Sequence, residues 1–365
     1  MAFNRFTRRT SAALPVRRAT ISAPALPVPA YIEHTARQLG ARFERIPVLV
    51  TRNVDADVAQ VHTYLGTYMP RTVLEFQTIG SELLSIPAVR EGLPRGRTLR
   101  VLDIGSGTGG AWMGLAGALR QALDVRQLDV VATDGNAYAL GLQPAFLRPL
   151  SQELGLGICL NREHFRLGLS YAAFMNDLSA LLGRLQGQFD FILVSKHLSE
   201  FYQAGGQQAQ PIVGAALHLL SQRLHATGSL VLLDVTQRTG AGTDFFPVRL
   251  ARELSQYLAQ EPEGLRPVLP VPCALHALTG CAAQSSCFTQ REFALRLCNP
   301  QTGEMERVSS KVTYRVFAHA QHARRISSAF AKGDADFVTD QDRQSACVDG
   351  AIVSTTRSRN GFSPD

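Results

Sequence analysis

Three glycines at alternate positions, Gly105, Gly107 and Gly109, follow Asp103 and close an apolar run at 99–104. Residues 101–110 read Val-Leu-Asp-Ile-Gly-Ser-Gly-Thr-Gly-Gly, the opening of a nucleotide site. Glycine lets the backbone turn sharply and approach a ligand where a Cβ would collide with it. The spacing is Gly-x-Gly-x-Gly and not the Gly-x-Gly-x-x-Gly of nicotinamide cofactors, so an NAD enzyme ranks second. Further on, residues 130–134 (Val-Val-Ala-Thr-Asp) end in Asp134, a carboxylate placed to accept hydrogen bonds from ribose hydroxyls. The plain alternative is a glycine-rich turn in some other α/β protein.

A second constellation lies at 271–292, where Cys273, Cys281 and Cys287 cluster around His276. Thiolates are soft ligands that select zinc or iron–sulfur clusters. The spacing departs from the paired Cys-x-x-Cys of a zinc ribbon, and unliganded thiols remain the alternative. Six cysteines in 365 residues are too few for a secreted disulfide scaffold, and a reducing compartment follows. Cys159 is expected to be an inert core thiol.

These residues need elements to hold them. The run at 99–104 predicts a strand, and the apolar spacing of 111–123 predicts a helix after the glycine turn. Residues 130–134, 189–195 and 229–235 read as further strands, with a helix at 211–224. Such alternation predicts a parallel sheet covered on both faces. Ligands in these sheets lie beyond the carboxyl ends of the strands, near the switch in strand order. That places Ser195, Lys196 and His197 near the reaction centre, His197 either as a general base or as a structural side chain. Ahead of the sheet, 54–68 and 73–86 carry apolar residues at three- and four-residue spacing, separated by Pro70 and stopped by Pro87. They predict a helical cap, with Tyr68 and Arg71 either meeting RNA or lying on a solvated face.

Apolar residues make up 45% of the chain, enough for a full core, yet no run reaches the roughly 20 residues needed to cross a bilayer. A net charge of +7 suits an acidic partner such as RNA. Nearly all the positive charge is arginine, the lysines being Lys196, Lys311 and Lys332. Guanidinium suits phosphate forks and base stacking, although a G+C-rich genome produces the same bias. Arg5, Arg8, Arg9, Arg17 and Arg18 precede the first acid, Glu33, which reads as a mitochondrial transit peptide or a disordered basic arm.

The glycine turn with its following acid resembles the S-adenosylmethionine site of class I methyltransferases. That resemblance implies a Rossmann-like α/β fold, with the cofactor held by Asp103, Gly105, Gly107, Gly109 and Ser195, its ribose by Asp134, and its adenine near Asp177. Residues 195–200 read Ser-Lys-His-Leu-Ser-Glu, so neither an Asn-Pro-Pro-Tyr signature nor a Pro-Cys nucleophile stands there. The fold followed by a cysteine loop further resembles the mitochondrial small-ribosomal-subunit assembly factors, the family of methyltransferase-like protein 17 with its fungal and bacterial relatives. Four segments carry this: Leu198-Ser199-Glu200, Leu232-Leu233-Asp234 before a Gly-containing loop, Cys287-Phe288-Thr289-Gln290-Arg291, and Cys347-Val348-Asp349-Gly350 after a strand containing Tyr314. The chain departs from the family in having Cys273-Ala-Leu-His276 for Cys-Pro-His and Ala282 for a proline.

The family resemblance implies a four-iron four-sulfur cluster on Cys273, Cys281, Cys287 and Cys347, with Cys298 as substitute ligand and zinc as the alternative metal. It implies the small ribosomal subunit and its rRNA as partners, Arg324 and Arg325 facing RNA, and a monomer in the mitochondrial matrix or a bacterial-type cytoplasm. The expected organisation is an arm at 1–30, a helical cap at 31–97, a methyltransferase-like domain at 98–268, a cysteine-bearing extension at 269–357 and a tail at 358–365. The expected function is rRNA methylation or ribosome assembly. A small-molecule or peptide methyltransferase and a catalytically silent RNA-binding factor are the alternatives.

Overall fold

Residues 26–45, 53–94, 98–205, 210–236, 246–270 and 291–332 are described in the computed structural model of the chain. The N-terminal part is helical after a two-residue strand, β1 (Leu26–Pro27): α1 (Ala30–Gln38), α2 (Val58–Thr67), α3 (Met69–Ser85) and α4 (Pro87–Gly92). A capping box starts α2, the Asp57 side chain accepting from Gln60 N at 2.8 Å and the Gln60 side chain from Asp57 N at 2.9 Å. Pro70 lies in the first turn of α3, where its missing N–H costs nothing, so this helix begins earlier than residue 73.

Strands and helices then alternate: β2 (Thr98–Ile104), α5 (Gly110–Ala122), β3 (Gln127–Asp134), α6 (Ala137–Leu142), α7 (Leu147–Leu154), β4 (Gly157–His164), α8 (Tyr171–Arg184) and β5 (Phe189–Ser195). The chain continues through α9 (Leu198–Gly205), α10 (Val213–Ser221), β6 (Leu224–Val235), α11 (Phe246–Gln260), β7 (Leu265–Leu269), β8 (Arg291–Cys298), β9 (Met305–His319) and α12 (Ala320–Lys332). The sheet runs β1-β8-β9-β6-β5-β2-β3-β4, with β7 also paired to β9. From β4 to β6 every pair is parallel; β9 is antiparallel to β6, β7 and β8.

Successive residues of a strand face opposite sides, and β5 supplies both cores in this way. Phe191 and Leu193 pack with α3 and α5, while Ile192 and Val194 pack with α8 and α10. A strand buried on both faces reads as a largely apolar run, and β5, apolar but for Asp190 and its terminal Ser195, is legible in sequence to the residue.

Helix α3 is built into the sheet domain. It lies so close to α5 that a Cβ on Gly114 would come within 2.2 Å of the Val73 carbonyl oxygen. Glu75 and Glu82 of α3 face the β8–β9 hairpin, Glu75 accepting from Ser310 Oγ and Glu82 pairing with Arg291 at 2.5 Å. Nor is the expected extension set apart: β9 lies between β6 and β7, so a boundary at 268 cuts through the sheet. At the other end, Leu26 and Pro27 pair with Leu295 and Arg296, joining the last part of the expected arm to the sheet edge. The remainder of that arm lies outside the described residues.

Candidate functional site

Strand order reverses at β2, whose neighbours are β3 on one side and β5 on the other. Loops leaving β2 and β5 therefore diverge and leave a crevice, the position where open α/β sheets bind ligands. Gly105, Gly107 and Gly109 adopt φ of 70°, 52° and 92°, in the left-handed region. Gly105 is also constrained by packing, since a Cβ there would lie 3.1 Å from the His197 Cβ. At Gly107 the reverse holds: an added Cβ would meet no protein atom within 4 Å, because it would enter the crevice.

Asp134 organises this loop. Its Oδ2 accepts from Gly107 N at 2.8 Å and its Oδ1 from Asn136 N at 2.7 Å, so the carboxylate fixes the tips of two strands. Burial pushes its pKa up, opposed by those two backbone bonds. Each oxygen retains a lone pair for a further donor. Gln143, fully buried, adds a second clamp: its Nε2 donates to Ser106 Oγ at 3.0 Å and Gly107 O at 2.8 Å, while its Oε1 accepts from Trp112 Nε1 at 3.0 Å. Nothing in the spacing of 105–134 pointed to Gln143, because it arrives from the helical turn after α6.

Two cavities flank the loop. The larger, about 340 Å³, is lined by Gly105, Gly107, Asp134, Asn136, Ser195, Lys196 and Glu200 below, and by Val61, Tyr64, Tyr68, Met69 and Thr72 of α2 and α3 above. The smaller, about 50 Å³, lies between the β3 and β4 loops and is lined by Gly105, Asp134, Phe165, Leu167, Ser195 and His197. Arg166 closes its rim by an ion pair with Asp55 at 2.8 Å.

The sequence-predicted residues therefore divide. Gly105, Asp134 and Ser195 line both cavities and Gly107 the larger. Gly109 lines neither; it is the left-handed N-cap of α5. Asp103 is fully buried beneath the loop, its Oδ2 accepting from Ser106 Oγ at 2.8 Å, and burial pushes its pKa up to about 7. Asp177 stands on α8 and lines neither cavity; its Oδ2 accepts from Gly168 N at 2.8 Å and so holds the loop after β4. His197 stacks on Phe174 with centroids 6.5 Å apart, and burial lowers its pKa to about 4. Facing the smaller cavity and not the larger, it packs the loop.

Lys196 carries the feature hardest to foresee. It has φ of 52°, the one non-glycine residue with positive φ among the described residues, a strain that persists only where surroundings enforce it. Its ammonium pairs with Glu75 Oε2 at 2.7 Å and donates to Thr72 Oγ1 at 3.0 Å. Glu75 is fully buried, so this ion pair joins the tip of β5 to the roof helix from inside. The two residues are 121 positions apart in the numbering, and no local pattern couples them.

Among the described residues no group of three or more His, Cys, Asp or Glu side chains is placed to hold a metal ion. The expected cluster ligands Cys273, Cys281, Cys287 and Cys347 lie outside the described residues. Cys298 ends β8, with Arg37 Nη2 donating to its Sγ at 3.2 Å. Cys159 is exposed on β4, not buried in the core as expected, because β4 has a partner on one side only among the described residues. Of the expected RNA-facing pair, Arg324 is held by Glu263 at 3.2 Å. No helix of the described residues is long and apolar enough to cross a membrane.

Five parallel strands with the reversal at β2, ended by an antiparallel β9 between β6 and β7, define the class I S-adenosylmethionine-dependent methyltransferase fold. No family model matches the chain, and no curated protein matches it. Solved structures similar to it include the plantazolicin methyltransferase BpumL in complex with SAH, at 12% identity over 79% of this chain and 99% of that one, TM-score 0.37. A SAM-dependent methyltransferase from Agrobacterium tumefaciens matches at 14% identity over 67% and 62%, TM-score 0.35. A precorrin-6y C5,15-methyltransferase from Geobacter metallireducens matches at 14% over 67% and 87%, TM-score 0.33.

Proposed function

We propose that the chain binds S-adenosylmethionine across the two cavities and presents its methyl group to a nucleophile of ribosomal RNA, in methylation or assembly of the small ribosomal subunit. The observation that carries the donor half is the pairing of Gly107 with Asp134: a backbone with open space above it, pinned by a carboxylate with lone pairs to spare. Those residues fit the group, since a ligand laid on Gly107 meets no side chain there. When bound, the cofactor supplies an electrophilic methyl on a sulfonium. Asp134 would accept from the ribose hydroxyls, and Ser195 and the Gly105 backbone would separate the adenosine and methionine ends. The roof of α2 and α3 would orient the acceptor, the contribution by which an enzyme makes a bimolecular step effectively unimolecular.

The ribosomal half rests on the sequence resemblance. In that reading the cluster on Cys273, Cys281, Cys287 and Cys347, or zinc in its place, orders the segments between and after β7 and β9, and folding of that part depends on metal. A mitochondrial matrix location belongs to the same reading. Calorimetry with S-adenosylhomocysteine tests the donor site, and transfer of tritiated methyl from S-adenosylmethionine to purified small-subunit rRNA tests the acceptor. Anaerobically purified protein should be brown, with thiolate-to-iron absorbance near about 400 nm. A colourless protein with stoichiometric zinc selects the other metal, and absence of S-adenosylhomocysteine binding removes the donor site altogether. A small-molecule or peptide acceptor is the second reading, favoured by the roof that confines the larger cavity to about 340 Å³.

A further inference from the structure

Beside the roof of the larger cavity, next to its lining residues Tyr68 and Thr72, stands a cation with no ion pair among the described residues. Arg71 of α3 is half-buried, with its guanidinium 5.4 Å from the centroid of Tyr68, whose ring lines the cavity. Its Nε is buried with no hydrogen-bond partner, and the guanidinium makes no ion pair with any described residue. The acid that acts on it is Glu75, one turn along α3, but that carboxylate already pairs with Lys196 and accepts from Ser310 Oγ. Burial pulls the Arg71 pKa down, yet arginine stays charged at neutral pH. A charge withdrawn from water without a partner is costly, and the cost is recovered when an anion arrives. Beside it, Tyr64 and Tyr68 stand 5.1 Å apart between ring centroids, and both line the cavity. Two tyrosines with a guanidinium lying over one of them suit a planar ring carrying an oxyanion.

We propose that Arg71 and Tyr68 form a nucleotide subsite for the acceptor, the phosphate pairing with the Arg71 guanidinium and the base lying against Tyr64 and Tyr68. The proposal deepens the reading above and rests on it only in taking the larger cavity as the acceptor side. The phosphate is either a phosphodiester of an RNA chain or that of a free mononucleotide, two sources of one chemistry.

Full-length protein saturated with S-adenosylhomocysteine, as wild type, Arg71→Ala, Arg71→Lys and Tyr68→Leu, is titrated with adenosine 5′-monophosphate and with a fluorescein-labelled short single-stranded RNA. Arg71→Ala should weaken binding of the wild type's tighter probe by about tenfold or more, the cost of a charge-assisted hydrogen bond. It should also lower the slope of log affinity against log salt by about one for the RNA. Arg71→Lys keeps the charge without the planar fork and should fall between. Binding of the RNA alone assigns the phosphate to a polymer, and binding of both probes to a nucleotide as such. Wild type that binds neither probe, or Arg71→Ala that binds both as wild type does, overturns the proposal. If Arg71→Ala loses its circular dichroism signal, Arg71→Lys and Tyr68→Leu decide, and wild-type affinity in both again overturns it. Failure of the donor site would register separately, as absent S-adenosylhomocysteine binding in the wild type.

Discussion

The floor and the roof of the larger cavity are made in different ways. The floor is a loop whose groups are held by backbone hydrogen bonds from residues near one another along two adjacent strands, Gly107 N to Asp134 and Ser106 N to Thr133 O. The roof is held by side chains from three distant stretches, with Glu75 bridging Lys196 and Ser310. A binding surface made of backbone tolerates few residue types but needs few partners. One made of a buried ion pair tolerates change poorly for another reason: each member leaves the other stranded in low dielectric.

Removing one member of that pair should have the largest effect. Lys196→Met leaves the fully buried Glu75 without its cation and should lower unfolding free energy by about 3–5 kcal/mol in urea denaturation. The double variant Glu75→Leu with Lys196→Met should recover most of the loss. If the single variant costs under about 1 kcal/mol, the pair is solvent-screened and the contrast between floor and roof fails.

The floor should respond in affinity and not in stability. Asparagine tolerates the left-handed backbone of Gly107, so Gly107→Asn keeps the loop while placing a side chain in the open space. Calorimetry should find S-adenosylhomocysteine binding weakened by about a hundredfold, roughly 2.7 kcal/mol, with the melting temperature of the free protein little changed. Unaltered affinity would move the donor off the loop.

Beneath the floor, Asp103 makes stability depend on pH. Burial holds its carboxyl at about 7, so the folded protein keeps a proton that the unfolded chain loses near about pH 4. The stabilisation from this group is complete below about pH 4 and is lost as pH rises to about 7. Asp103→Asn removes the titration and should flatten the fall in urea stability across that window by about 1–3 kcal/mol. Parallel profiles for the two proteins would exclude Asp103 as the titrating group, leaving Asp234, also raised by burial, to about 6.

The smallest effect is expected at Asp177, which holds Gly168 N and lines neither cavity. Asp177→Ala should weaken donor binding only about two- to fivefold, through a looser loop worth under about 1 kcal/mol. A loss approaching that of Gly107→Asn would return Asp177 to direct contact with the adenine.

The residues involved make plain which parts could be read in advance. The strands at 99–104 and 189–195 were legible because burial on both faces demands largely apolar runs, and the loop at 105–109 because glycine takes its left-handed backbone angles at no steric cost. Hairpin β8–β9 was half legible: Tyr314 lies in β9, within the expected strand, while β8, for which the sequence offered no strand, alternates buried with exposed or half-buried positions along its length. Edge strand β4 was not legible, since most of its residues face water and none is buried, and Cys159 is one of the exposed ones.

By itself the sequence determined the parallel α/β core and the Gly105–Asp134 cradle, because burial of the core is so complete that composition reveals it, and the glycines and the acid each end a strand legible on its own. Only the tertiary structure decided that Glu75 meets Lys196, that Gln143 clamps the loop, that α3 belongs to the sheet, and that Arg71 lies over Tyr68 with no ion pair among the described residues. Such contacts depend on which helix faces reach which strand tips, and packing sets that geometry without leaving a spacing to be read.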